Sequence, residues 1–392
     1  MIKPEAVLGL PGYQITKIEE ISGQVRISVR QVVPISCPHC GGSRLRLKDK
    51  RLRQPRHESW GIRHTVLELE THKWKCFGCR RTFWERFAGI LPHKRATEPF
   101  RRSVYLKHFD GISRSRLGQR EGIGSATVER WFIDFLMRGQ AERSSAVCPR
   151  VLGIDEHFFS RRDGYATTFC NLSRHTIFDV VLGHSEAALE SYLDRLQGKE
   201  RVRLLCMDLS NSYRALVRKH FPNARIVADR FHVIRLINLH FLACWRDIDP
   251  VGAKSRGLLS LLRRHRHNLK PGQPEKLEAY FHQFPALRQI YRFKQRLCYL
   301  LLKKHRTRKQ CGPLATRLLK AIYQLRQAGL AQLIQLGDTL HRWVDEIATM
   351  WRFTKNNAIT EGFHTKMEVL QRQAYGFRNF NHYRLRVRIM CS

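Results

Sequence analysis

The chain has 392 residues, with 71 Lys and Arg against 33 Asp and Glu and a formal net charge of +38. That length admits two or three domains, and a hydrophobic content of 43% is that of a globular chain rather than a disordered one. So large a cationic excess opposes compaction unless a polyanion neutralises it, which favours a nucleic-acid partner over a ribosome-bound or membrane-surface protein.

The opening "MIKPEAVLGLPGYQ" lacks the basic-then-apolar pattern of a secretory signal, and no apolar run approaches the about 18 residues of a membrane span. A soluble, cytoplasmic, nucleoid-associated protein with no membrane partner is expected. Of the 11 cysteines, four form two tight pairs, and the scattered remainder read as small buried apolar residues rather than disulfides.

Residues 1–90 alternate short strand-like runs, such as "QVRISVRQVVPI" and "HTVLELETHKWKC", with turns. Within them stand "CPHCGG" (Cys37, Cys40) and "CFGCRRTF" (Cys76, Cys79). Each CxxC turn lets two thiolates grip one ion, and two such turns complete a tetrahedral Zn2+ site. A redox CxxC would need no twin. The long gap between the pairs calls for an extra hairpin, and His39 and His72 read as solvated neighbours of a four-thiolate site.

Residues 91–147 read as helical. One helix ends near Arg120, "EGIG" turns the chain, and a second helix opens at Ser125, expected as its N-cap, with Val128, Trp131, Phe132 and Phe135 on its apolar side. Two helices around a short glycine turn match a helix-turn-helix, whose second helix would offer Ser125, Thr127, Glu129 and Arg130 to a DNA groove.

From 148 the period changes. "VLGIDEHFF" reads as a strand, "YATTFCNLSRHTIFDVVLG" as two strands around "SRH", and "SEAALESYLDRLQ" as a helix capped by Ser185. The strand "RVRLLCMDLS", the helix "SYRALVRKHF" and the strand "ARIVADRFHV" follow, giving a mixed sheet flanked by helices. Residues 236–351 are helical throughout. Leu340, Trp343, Val344, Ile347 and Trp351 mark one face, Leu318, Leu319, Ile322 and Leu325 another, and "KPGQPEK" and "KKHRTRKQCGP" are the links.

Asp155, Asp208 and Asp229 each close an apolar strand-like run. Strand ends converge on one sheet edge, and three acids gathered there repel one another unless a cation such as Mg2+ lies between them. Single strand-ending aspartates are common in turns; three in one domain are less easily explained that way. Further on, Glu361 sits about 200° around a helix from Phe363, away from the apolar face of Phe363, Met367 and Leu370. Glu368, seven residues on, is nearly in line with it and is the alternative. Arg230 and Lys366 read either as phosphate contacts or as surface charge.

The blocks "GIDE", "MDLS", "ADRFHV", "NNAITEGFHTKMEVLQRQAYGFRNF" and "YRLRV" resemble the ISL3 family of bacterial insertion-sequence transposases, across nearly the whole chain. The resemblance implies a multidomain α+β protein: a zinc ribbon (1–90), a helix-turn-helix domain (91–147), and an α/β ribonuclease-H-like catalytic domain (148–235 and 352–392) interrupted by an all-α insertion (236–351). It implies a DDE triad at Asp155, Asp208 and Glu361 holding catalytic Mg2+ or Mn2+, with Asp229 as an accessory acid. The partners it implies are double-stranded DNA, as terminal inverted repeats and target, and a second copy of the chain, since two ends are handled together. Two rivals remain: a zinc and helix-turn-helix regulator, including an inactive transposase relative, and a tyrosine recombinase built on His232, Arg235 and Tyr383, which would leave the aspartates unexplained. No GxxxxGK[ST] loop supports an ATPase.

Overall fold

The computed structural model describes residues 8–143, 147–353, 358–374 and 376–391. It divides into two compact units, Met1–Glu142 with Gln373–Gly376, and Arg143–Arg372 with Phe377–Ser392. Among the described residues no helix is long and apolar enough to cross a membrane.

In the first unit, β1 (Tyr13–Ile21), β2 (Gln24–Gln31), β3 (Leu45–Arg53), β4 (Arg56–Trp60), β5 (Arg63–Cys76) and β6 (Thr82–Trp84) form one sheet. The 14-residue β5 is its spine: its first half pairs with β2 and β4, its second half with β3 and β6. Alternation along β2 and β5 buries Val25, Ile27, Val29, Leu67 and Leu69 on one face, where Leu8, Tyr13 and Phe87 complete a core. The expected hairpin between the cysteine pairs is present as β4–β5, with β3 added along the far half of β5.

Three helices follow: α1 (Glu98–Phe109), α2 (Arg114–Glu121) and α3 (Ser125–Arg143). Thr97 and Ser113 cap the first two through their hydroxyls. Gly122 ends α2 at φ 62°, a left-handed turn that glycine adopts without a Cβ penalty. Ser125 is the first residue of α3 rather than its cap. The Gly124 carbonyl accepts the first helical bond, from Val128 N–H at 3.2 Å, so the cap lies one residue earlier than expected. Val128, Leu117, Phe100 and Val104 bury the apolar faces together.

The second unit is built on a five-stranded sheet in the order β11-β10-β7-β8-β9. The strands β7 (Val151–Ser160), β8 (Gly164–Asn171) and β9 (Thr176–Leu182) form an antiparallel meander. After α4 (Glu186–Arg195), capped by Ser185 as expected, β10 (Leu204–Met207) lies parallel to β7; after α5 (Asn211–His220), β11 (Arg225–Ala228) lies parallel to β10. The stretch expected as a strand through Val233 instead breaks at Asp229. That side chain accepts the Phe231 N–H at 3.1 Å and starts α6 (Arg230–Ile248), and the spacing of Val233, Ile237 and Phe241 buries one helical face.

Next come α7 (Arg256–Arg263), α8 (Gln273–Gln283), α9 (Pro285–Leu301), α10 (Arg308–Arg326), α11 (Ala331–Arg342) and α12 (Val344–Arg352). The single face expected from Leu340 to Trp351 is two helices, broken at Trp343, although its large side chains are buried as expected. Leu319 leaves its expected face and is exposed, because Leu318, Ile322 and Leu325 already cover the contact. Buried residues of α9 to α12 share one continuous core with Leu152, Ile154, Leu205, Met207 and Val227 of the sheet. The opposite sheet face, through Ala166, Cys170, Cys206 and Ile177, packs on α13 (Ala358–Gln373) and α14 (Phe380–Met390).

Candidate active site

In the first unit, Cys37 Sγ lies 3.6 Å from Cys79 Sγ and Cys40 Sγ 3.6 Å from Cys76 Sγ. All four sulfurs lie within 4.8 Å of one another. A tetrahedron of thiolates about 2.3 Å from Zn2+ has edges of about 3.8 Å, so the cluster fits a structural zinc ion. The two turns are built alike: Cys37 N–H donates to Gly42 O at 3.0 Å and Cys76 N–H to Arg81 O at 2.9 Å. Both pass through a left-handed residue, Gly41 at φ 71° and Arg80 at φ 60°, and only the first is a glycine. His72 is held by Glu85 (3.0 Å) and Glu70 (3.3 Å), and His39 faces Arg81 at 3.5 Å.

In the second unit the pairing register brings the aspartates into a row. Cys206 stands opposite Gly153 and Met207 opposite Ala228, so the next residue of β10, Asp208, falls beside Asp155 on one side and Asp229 on the other. Side chains alternate along a strand. Ile154 and Met207 belong to the core shared with α9 to α12, so Asp155 and Asp208 turn to the face that carries α13. Asp155 does not end its strand, as its neighbours do. β7 continues to Ser160 because β8 pairs with it well beyond that point, Asp155 opposite Thr168.

Among the described residues, one group of three acid and histidine side chains has ligand atoms all within 4.8 Å of one another: Asp208, Asp229 and His232. His232 Nδ1 is 2.9 Å from Asp208 Oδ2. Asp208 Oδ1 and Asp229 Oδ2 are both buried with no hydrogen-bond partner. Two orphaned carboxylate oxygens side by side carry a desolvation cost that a divalent cation would offset, so this donor set fits one. Asp155 stands outside that trio but feels it. Burial first, then the charges of Asp208 and Asp229, push its carboxyl up to about 7, against the opposing Glu156 N–H and His232. Asp229 is raised by burial and then by the charges of Asp208 and Glu361, against the Phe231 N–H and His232. For His232 burial opposes the proton, but the Asp208 carboxylate outweighs it and the affinity rises.

Glu361 lies in the first turn of α13, exposed and outside the trio, yet close enough for its charge to act on Asp229. Glu368 is exposed and pairs with Arg372 at 3.3 Å. Arg230 is no phosphate contact. It is 6% exposed and donates to the carbonyls of Leu301 (2.9 Å), Lys303 (3.3 Å) and Met350 (2.9 Å), tying α6 to α9 and α12. Lys366 donates to the Met390 carbonyl at the end of α14. Tyr383 is buried against His157, out of reach as a nucleophile. On α3, Ser125 and Arg130 are exposed and Thr127 is half-buried, accepting from Arg130 Nη2 at 3.1 Å; Glu129 pairs with Arg114.

His232, singled out in the sequence only for the recombinase rival, belongs instead with the aspartates. Its signal is the spacing Asp229-x-x-His232 at a helix start, which sets both on one face.

The transposase family model of the ISL3 group matches residues 152–387, and a model described as the zinc-finger of transposase IS204/IS1001/IS1096/IS1165 matches residues 34–79. The transposase for insertion sequence element IS1001 of Bordetella parapertussis is 22% identical over 404 aligned residues, covering 98% of this chain and 96% of that protein. This chain belongs to the ISL3 family of insertion-sequence transposases.

Proposed function

We propose that this protein is a DDE transposase that binds the terminal inverted repeats of its element as double-stranded DNA, cleaves them and joins them to target DNA. The observation that carries the reading is the row Asp155–Asp208–Asp229, with its two buried, unpartnered carboxylate oxygens and with the charge of Glu361 acting on Asp229. Sheet order and direction, three antiparallel strands followed by two parallel ones, support a ribonuclease-H-like catalytic domain (148–235 and 352–392) interrupted by a helical insertion (236–351). The turn between α2 and α3 supports a helix-turn-helix in 91–147, beside the ribbon of 1–90, presenting Ser125, Thr127 and Arg130 to DNA.

Asp155, Asp208 and Glu361 are the proposed ligands of Mg2+ or Mn2+, with Asp229 as accessory acid. Bound there, such an ion supplies charge neutralisation at the scissile phosphate and activation of the attacking hydroxyl. The protein's share is orientation: His232 holds one oxygen of Asp208 and leaves the other free, and the Phe231 N–H does the same for Asp229. No protein nucleophile is needed. Handling two ends together implies a homodimer.

The test is strand cleavage on the element's own ends with Mg2+ or Mn2+. Asp155→Asn, Asp208→Asn and Glu361→Gln should each abolish nicking while end binding persists. Full activity in any one of them removes that residue from the triad.

A further inference from the structure

Resting on the transposase reading, we infer that Thr168, His157 and Tyr383 form a buried positioning chain that acts through His364 to set α13, and with it Glu361, against the strand of Asp155. His364 Nδ1 faces Asp155 Oδ2 at 3.8 Å. His364 Nε2 is hydrogen-bonded to the Thr168 hydroxyl at 3.2 Å. The same hydroxyl lies 2.9 Å from His157 Nδ1, so with its one proton it donates to one imidazole and accepts from the other. His157 Nε2 is in turn hydrogen-bonded to the Tyr383 hydroxyl at 2.8 Å.

The chain therefore runs from Tyr383 on α14 through His157 on β7 and Thr168 on β8 to His364 on α13. Thr168 and Tyr383 are fully buried. Beside the bonds of Lys366 to the Met390 carbonyl and of Gln371 to the Phe159 carbonyl, the hold on α13 is apolar, through Met367 and Leu370, and apolar contacts tolerate sliding that directed hydrogen bonds do not. His364 stands one helical turn from Glu361, so rotating the one moves the other.

Thr168→Val keeps the shape and removes the hydroxyl; Thr168→Ser keeps the hydroxyl and removes the methyl. With end binding unchanged, Thr168→Val should slow cleavage about 10- to 100-fold and Thr168→Ser by less than about threefold. Amide exchange in residues 358–373 should quicken in Thr168→Val alone, and Tyr383→Phe should reproduce that pattern more weakly. Equal slowing by Val and Ser would make the role one of packing and overturn the proposal, as would unchanged exchange of α13 in Thr168→Val. If the wild-type protein itself fails to cut its ends, the transposase reading falls, and the exchange measurement alone decides whether the chain positions the helix.

Discussion

One ion pair joins the helical segment to α5, and its loss can be given a magnitude. Arg214, on the helix that follows Asp208, donates Nε to Glu346 Oε1 at 2.8 Å and Nη2 to Oε2, a side-on pair across 132 residues. The same Nη2 reaches the Arg342 carbonyl at 2.8 Å, and the guanidinium lies 3.8 Å from the ring centroid of Trp343. The Glu346 side chain is 6% exposed, with Arg218 at 3.7 Å as its one other cationic partner among the described residues. Removing one member of a buried pair costs about 3–5 kcal/mol, because the other is left desolvated and alone. Arg218 softens the loss, so the lower end, about 3 kcal/mol, is expected for Arg214→Met. In a unit of this size that lowers Tm by about 6–12 °C. Arg214→Met combined with Glu346→Leu removes both charges and should return to within about 1 kcal/mol of wild type, since an apolar replacement of a buried pair is often neutral. Urea unfolding at unchanged m reads both values. A single variant costing under about 1 kcal/mol, or a double variant no better than the single, would refute the claim that this carboxylate depends on its arginine.

Zinc chelation or Cys76→Ser should release a single equivalent of metal and render residues 34–79 protease-sensitive while the second unit keeps its unfolding transition; retention of the ribbon without metal would count against a structural role. His57, 1% exposed and 2.9 Å from Thr97 Oγ1, is pushed by burial down to about 4, against the opposing Leu8 carbonyl. Its folded pKa lies below the unfolded value of about 6.5, so its contribution is whole above about pH 6.5 and is lost as pH falls toward about 4. Between pH 7 and pH 5 that loss is about 2 kcal/mol, and His57→Gln should flatten this part of the stability profile; parallel profiles for the two proteins would refute the assignment.

The zinc site and two of the three strand aspartates were legible because local pattern decides them. A CxxC turn is four residues of chain, and an apolar run closed by an acid is six. Asp155 lies within "VLGIDEHFF", which reads as a strand running past it; what the run does not carry is its partner, β8, which pairs with β7 out to Ser160. The start of α6 was misread because "RFHV" has the aromatic and β-branched look of a strand, while the deciding term is the Asp229 cap. Arg230 could not be read at all. In sequence it is one more cation in a basic chain, and its three carbonyl partners lie 71, 73 and 120 residues away.

The two helix starts that flank the site repeat one device. α6 begins with Asp229-x-x-His232 and α13 carries Glu361-x-x-His364 in its opening turns, an acid and an imidazole on one helical face in each case. Each imidazole turns back to a strand carboxylate: His232 to Asp208 at 2.9 Å, His364 to Asp155 at 3.8 Å. In the proposed site the strands thus supply two acids, the helices supply two acids plus the groups that orient the first two, and nothing in that arrangement depends on the length of chain between the helices. That is why a long helical segment can stand between α6 and α13 without disturbing the carboxylates. It needs only to deliver α13 to the sheet, and its own packing, through Trp351, ends against the strands that carry the aspartates.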